Sequence, residues 1–303
     1  MRLLFTGGGG AGNEAIWRQF NDRHDLFFAD ADPGAIDPLI PAGRRFAIPF
    51  ARKPDFADRV LSLCERERID ILVPGVDEEL VALADRRGTV ATRILVPSAD
   101  FVKLMLDKLS ASKAILDAGL TVPETRPLLK FEGMSFPLIA KPRTGRGSRG
   151  VEKLDRSEQV AAYLTMQKGD PDFYVAQALC PGQEYTVFAC ADEEGRLRSV
   201  IPVRVISKKG ITIRAVIEHQ PSILEYTKRF QNHFKPANIY NIQCMLNDRG
   251  VVYPFEVNPR ISTTFCLAVS TGFDPFSLRS QGDGIFVPTK SISLARHWRN
   301  IIE

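Results

Sequence analysis

The strongest constraint on this chain's fold is a pair of alternating apolar segments, IYNIQCML and VVYPFEV, separated by Asn247-Asp248-Arg249-Gly250. Turn residues between two strand-like runs predict a β-hairpin. Pairing across that turn points Gln243 and Glu256 to one face, and Asn258, two residues beyond Glu256, keeps it. A glutamate inside an apolar strand is costly to bury alone, so a partner is required. A salt bridge to an arginine is the plain solution. The other is a cation, because carboxylate and amide oxygens are hard donors suited to Mg²⁺. Arg260 follows two residues after Asn258, placed to steady charge on a transferred phosphoryl group.

A second unusual stretch begins where the apolar strand Phe136 to Lys141 runs into PRTGRGSRGV, with three glycines and three arginines between Pro142 and Val151. Glycine lets backbone amides turn toward phosphate oxygens, and a lysine at a strand end adds a point charge. No lysine follows the last glycine, so this is not a Walker loop. A basic surface loop is the alternative. Lys108 is expected inside one helix, or helix pair, over Ala99 to Ala118, where a solvated lysine would be ordinary. Gln177-Ala178-Leu179 followed by Gly182-Gln183-Glu184 has the form of an inter-strand hinge. Its backbone edge can read an adenine, and Glu184 can accept two ribose hydroxyls.

The first third alternates strands and helices, which predicts βαβ units and a parallel sheet. Strands are expected at Arg2 to Thr6, Leu26 to Ala29, Ile69 to Val73 and Ile94 to Val96. Helices are expected at Glu14 to Phe20, Phe56 to Glu67 and Asp77 to Arg86. Val160 to Met166 and Ser222 to His233 also read as helices. From Tyr174 onward, YVAQAL, EYTVFACAD, SVIPVRVIS and ITIRAVIEH alternate as an antiparallel sheet would. A helical piece near Leu267 and an amphipathic tail ending in HWRNIIE close the chain. Gly7 to Gly12 lies between a strand and a helix, with Asp30 ending the next strand. That is the setting of a dinucleotide fingerprint, although a glycine run fits almost any register.

Composition excludes several classes. The 303 residues are 44% hydrophobic and 25% charged, enough for about two cores without disulfide or metal staples. The net charge of +4 is small and the arginines are scattered, so no nucleic-acid partner is expected. The five cysteines form no CxxC pair and read as buried, reduced thiols. The N-terminus does not read as a signal peptide and no apolar run suits a membrane span, so a cytoplasmic location is expected.

The string from Phe136 to Val151, QALCPGQEYTV, and FEVNPRIS with Gln243 upstream, in that order, resemble the ATP-grasp superfamily. Within it they are most similar to one half of the carbamoyl phosphate synthetase large subunit and its short stand-alone relatives. The likeness extends over Ile71 to Leu80 and the Asp107-Lys108 helix. It implies an α/β and α+β fold. A Rossmann-like domain (1–97) would precede two ATP-grasp subdomains, one carrying the glycine flap (98–178) and one the metal site (179–303).

Carried over, Lys108 and Lys141 would meet phosphates. The loop Thr144 to Gly150, with Gly145, Gly147, Ser148 and Gly150, would be the flap. Gln177, Ala178 and Leu179 would read adenine, with Gln177 replacing the more usual acid. Glu184 would hold the ribose, and Gln243, Glu256 and Asn258 would bind Mg²⁺ or Mn²⁺. Arg260 would stabilise the acyl phosphate. Arg204, Lys208, Lys209 and Arg214 are candidate substrate contacts. At half length the chain is expected to lack the second ATP-grasp unit, carbamate tunnel and glutaminase dock, so carbamoyl phosphate synthesis is not expected; the short relatives imply a small-molecule ligase joining a carboxylate to an amine. ATP would be its cosubstrate and a homodimer its default assembly. An NAD(P)-linked oxidoreductase built on Gly7 to Gly12, and an ATP-binding module without catalysis, are the alternatives.

Overall fold

The computed structural model describes residues 1–278, 282 and 284–297. Apart from His297, the residues of the expected HWRNIIE tail lie outside the described residues. The chain opens with β1 (Arg2–Thr6), α1 (Asn13–Phe20), β2 (Asp25–Asp30), β3 (Arg45–Ala47), α2 (Phe56–Arg66), β4 (Ile71–Val73), α3 (Asp77–Ala84) and β5 (Arg93–Ile94). The strands form one sheet in the order β3-β2-β1-β4-β5, and all its pairings are parallel. Phe56, Val60, Leu63 and Cys64 bury one face of α2 against it, together with Leu4, Phe27 and Leu72.

Two helices follow, α4 (Ala99–Leu106) and α5 (Lys108–Asp117). Lys108 therefore does not sit inside a helix but opens one. The break is chemical: the Asp107 carboxylate accepts from the backbone amides of Leu109 and Ser110 at 3.0 and 2.9 Å. An aspartate bonded to the backbone this way caps a new helix rather than continuing the old one.

The rest comprises β6 (Thr125–Pro127), β7 (Leu138–Pro142), β8 (Glu152–Leu154), α6 (Glu158–Gln167), β9 (Tyr174–Ala178), β10 (Gln183–Ala191), β11 (Leu197–Lys209), β12 (Ile211–Ile217), α7 (Pro221–Phe234), β13 (Asn238–Leu246), β14 (Val252–Asn258), α8 (Phe265–Val269) and β15 (Ser293–Ala295). They build a four-stranded sheet, β6-β9-β7-β8, and a six-stranded sheet, β14-β13-β10-β11-β12-β15. YVAQAL is thus not the first ribbon of the larger sheet; β9 pairs antiparallel with β6 and β7.

Gly182 lets the chain cross from β9 to β10. Its φ is +131°, and a Cβ there would stand 2.2 Å from the Leu246 carbonyl oxygen. No L side chain fits both conditions. Gly182→Ala is expected to cost about 3 kcal/mol. The check is a lower urea midpoint at unchanged slope.

The six-stranded sheet is covered on both faces. Tyr185, Val187, Ile242 and Cys244 pack against Phe101, Met105, Ile115 and Phe230. On the other face, Phe188, Cys190, Ile201 and Val203 share a core with Phe5, Phe28, Phe265 and Phe276. Alternation along β13 puts Asn241 and Gln243 on this second face, beside the apolar core instead of within it.

Candidate active site

The hairpin forms as expected. Gln243 stands opposite Glu256 and Asn241 opposite Asn258, with a bulge between Gln243 and Cys244. Thr186 on β10 lies opposite Gln243, so a polar row crosses three strands. Glu256 has a basic partner, but it is a lysine: Lys108 Nζ lies 3.1 Å from Glu256 Oε1. The same ammonium donates to the Gly145 carbonyl at 3.0 Å, tying the glycine loop to the hairpin.

Strand β7 delivers Lys141 to the same place. Its Nζ donates to Gln177 Oε1 at 2.8 Å and to the Phe255 carbonyl at 3.0 Å. Gln177 in turn donates to Thr125 Oγ1 at 2.9 Å, so its side chain is committed to orienting Lys141. Lys141 is 4% exposed. Burial pushes its pKa down from 10.5 to about 8, with Lys108 and Lys208 adding to the fall and Glu256 opposing it. Nζ of Lys141 and of Lys208 lie 5.6 and 6.0 Å from the Phe255 ring centroid, within cation–π range.

The loop between β7 and β8 is glycine-dependent. Gly145, Gly147, Ser148 and Gly150 have φ of +117°, +69°, +58° and +67°. Arg146 pairs with Glu78 at 3.0 Å, and Arg143 with Asp107 at 2.7 Å.

These groups enclose two adjoining cavities. One, of about 220 Å³, is lined by Lys108, Lys141, the glycine loop, Leu179, Met245 and Phe255. Ala178 and the half-buried Cys180 also border it, so Cys180 departs from the expected buried thiols. The other, of about 600 Å³, lies between the glycine turn of the first sheet and Asn258, Arg260 and Thr263. Gln243, Glu256, Glu184 and Lys208 border both. Glu184 accepts from Lys208 Nζ at 2.8 and 2.6 Å. Of the four basic candidates on β11 and β12, Lys208 alone lines these cavities; Arg204 pairs with Glu218 instead.

Arg260 is held firmly. Its Nε donates to Asp77 Oδ1, its Nη1 to the Ile261 carbonyl at 2.8 Å and its Nη2 to Asn258 Oδ1 at 3.5 Å. Asp77, Thr125 and Phe255 were not singled out as site residues by sequence reasoning. A contact across 183 residues leaves no local pattern, although the acid-rich start of α3 was visible.

Three amides of the turn at Gly7 to Gly12 are already bonded. Gly8 donates to the Ala29 carbonyl, Gly9 to Asp30 Oδ2 and Gly10 to the Gly7 carbonyl. Those donors are not available to a pyrophosphate, and Asp30 is engaged by the turn itself. Glu79 borders the same cavity and accepts from Thr6 Oγ1. Burial raises its pKa from 4.5 to about 7, the Thr6 bond opposing and Asp30 adding. A carboxyl with a raised folded pKa penalises the fold above that pKa and is neutral in both states below the unfolded one. Glu79→Gln should therefore gain stability relative to the parent between pH 5 and pH 8, by at most about 3 kcal/mol. Paired urea titrations at the two pH values measure it.

Among the described residues no three His, Cys, Asp or Glu side chains cluster as a metal site. Gln243, Glu256 and Asn258 offer one carboxylate and two amides on one face. That donor set fits Mg²⁺, which takes one or two carboxylates alongside substrate phosphates. Among the described residues no helix is long and apolar enough to cross a membrane.

A family model described as the ATP-grasp domain matches residues 105–264, more than half of the chain. The carbamoyl phosphate synthase large chain of Thermoanaerobacter sp. (strain X514) is 24% identical over 284 residues, covering 83% of this chain. The chain spans only 25% of that relative's length. Among solved structures, the L-amino acid ligase from Bacillus licheniformis superposes with a TM-score of 0.67 at 15% identity, covering 96% of this chain and 78% of that one. A carboxyaminoimidazole ribonucleotide synthase from Aspergillus clavatus, complexed with ATP, gives 0.68 at 14% identity, covering 86% and 70%. At such identities the likeness establishes the shared mixed α/β fold.

Proposed function

The chain belongs to the ATP-grasp family, and we propose that it is an ADP-forming ligase joining a carboxylate to an amine through an acyl phosphate. The observation that carries this reading is the convergence of Lys108 and Lys141 on the face shared by Gln243 and Glu256. In this reading Lys108 and Lys141 hold the phosphates under the loop Thr144 to Gly150. Gln177, Ala178 and Leu179 meet the adenine, and Glu184 meets the ribose. Gln243, Glu256 and Asn258 hold Mg²⁺, which when bound offsets charge on the phosphoryl group in transfer. The parallel sheet is read as the Rossmann-like unit (1–97), followed by subdomains 98–178 and 179–303.

The cavity of about 600 Å³ borders Glu256 and Arg260, and there the two substrates would meet. A carboxylate oxygen attacks the γ-phosphorus, the bond to ADP breaks, and Arg260 faces the resulting acyl phosphate. The amine then attacks the carbonyl carbon, releasing inorganic phosphate and a proton. The relatives named as an amino acid ligase and a carbamoyl phosphate synthase chain support this chemistry by analogy.

The test is ADP release with Mg-ATP over a panel of amino acids offered as acid and as amine. ADP formation should require Mg²⁺ and an acid, with amide formed in equal amount. AMP as the nucleotide product, or release that ignores the acid, would contradict the reading.

A further inference from the structure

The first turn of α3 carries three consecutive acids, each committed elsewhere: Asp77 to Arg260, Glu78 to Arg146 and Glu79 to Thr6. The first of these differs from the second in burial. The side chains of Arg260 and Asp77 are 13% and 9% exposed, whereas those of Arg146 and Glu78 are 40% and 53% exposed. A buried guanidinium is costly without a paired carboxylate, so Asp77 sets where Arg260 can rest. With Nη1 on the Ile261 carbonyl and Nη2 reaching Asn258 Oδ1, the guanidinium is fixed from three sides. Arg260 lines the larger cavity together with Asn258 and Glu256.

We propose that Asp77 is a positioning residue for phosphoryl transfer, holding the Arg260 guanidinium beside the Asn258 and Glu256 face. This rests on the ligase reading above. Asp77 acts through Arg260 rather than on substrate. Its counterpart would be a merely structural tie between α3 and the end of β14, and the two roles differ in a measurable way. A tie affects folding; a positioning residue affects recognition of the phosphoryl group in flight, and only while Arg260 is present.

The probe is Mg·ADP with and without aluminium fluoride, which mimics a phosphoryl group in transfer. Affinities are measured for the parent chain, Asp77→Asn, Arg260→Gln and the double variant, each checked by thermal unfolding. Asp77→Glu replaces Asp77→Asn if the latter does not fold. Affinity for Mg·ADP alone should stay within about threefold of the parent in Asp77→Asn, and each variant's gain is taken against its own Mg·ADP affinity. The gain in affinity brought by aluminium fluoride should fall about tenfold or more in each single variant and no further in the double. A parent-sized gain in the Asp77 variant, or losses that multiply in the double, would overturn the positioning role while leaving the ligase reading intact. Failure of the parent chain to bind Mg·ADP would remove the ligase reading, and this inference with it.

Discussion

Glu256→Ala is expected to lower Mg-dependent ADP release about 10³-fold, the scale of losing a preorganised charge contact in transfer chemistry. The carboxylate has two tasks. It is the one acid in the proposed cation set, and it is the partner of Lys108 at 3.1 Å. It also supports the charge of Lys141, whose pKa burial lowers to about 8 against the pull of Glu256. Removing Glu256 therefore removes the cation's carboxylate, leaves Lys108 buried without its ion pair, and drives Lys141 further toward neutrality. Glu256→Gln keeps the shape and should lose nearly as much activity, because charge is what the site needs. Coupled ADP-release assays across a Mg²⁺ titration, with melting curves for both variants, test this. Full turnover in either variant would remove the metal assignment.

Lys141→Met should weaken Mg-ATP binding roughly 100-fold, about 3 kcal/mol for a buried, hydrogen-bonded charge contact. Its stability should respond differently. The substitution strands the Gln177 and Phe255 oxygens, each costing about 1–3 kcal/mol if no water replaces the ammonium. It also removes the expense of burying an ammonium. A lysine with a depressed folded pKa penalises the fold below that pKa, and the penalty fades as pH rises from about 8 toward 10.5. The parent should accordingly gain stability relative to Lys141→Met between pH 7 and pH 10. Isothermal titration with Mg·AMPPNP and urea unfolding at both pH values separate the two effects.

Much of this was visible in the residues because it depends on period and turn chemistry. The Asn247 to Gly250 turn and the alternation on either side announce the hairpin, while the bulge between Gln243 and Cys244, which no period reveals, is what sets Glu256 opposite Gln243. The apolar run ending in Lys141 announces a strand, and the glycines after it announce a loop. The parallel order of the first sheet followed from strands and helices in alternation.

What escaped was long-range or depended on one side chain. The break at Asp107 turns on a carboxylate preferring two backbone amides to solvent, which helical spacing does not reveal. The sheet to which Tyr174–Ala178 belongs is decided by its partners at β6 and β7, since alternation is identical in either sheet. Short strands such as Arg45–Ala47 and Ser293–Ala295 carry too few residues for a period to show. The side-chain amide of Gln177 is held between Lys141 and Thr125, a contact the hinge pattern does not reveal, and only its backbone edge is left to the adenine reading. The Arg260–Asp77 pair joins two stretches that share no sequence pattern.

The most direct test is a crystal structure of the chain with Mg·AMPPNP. Density for the triphosphate is expected between Lys141 and the loop at Gly145 to Gly150, with the cation touching Glu256. A nucleotide seated instead at Gly7 to Gly12, or a cation bound away from Glu256, would contradict that placement.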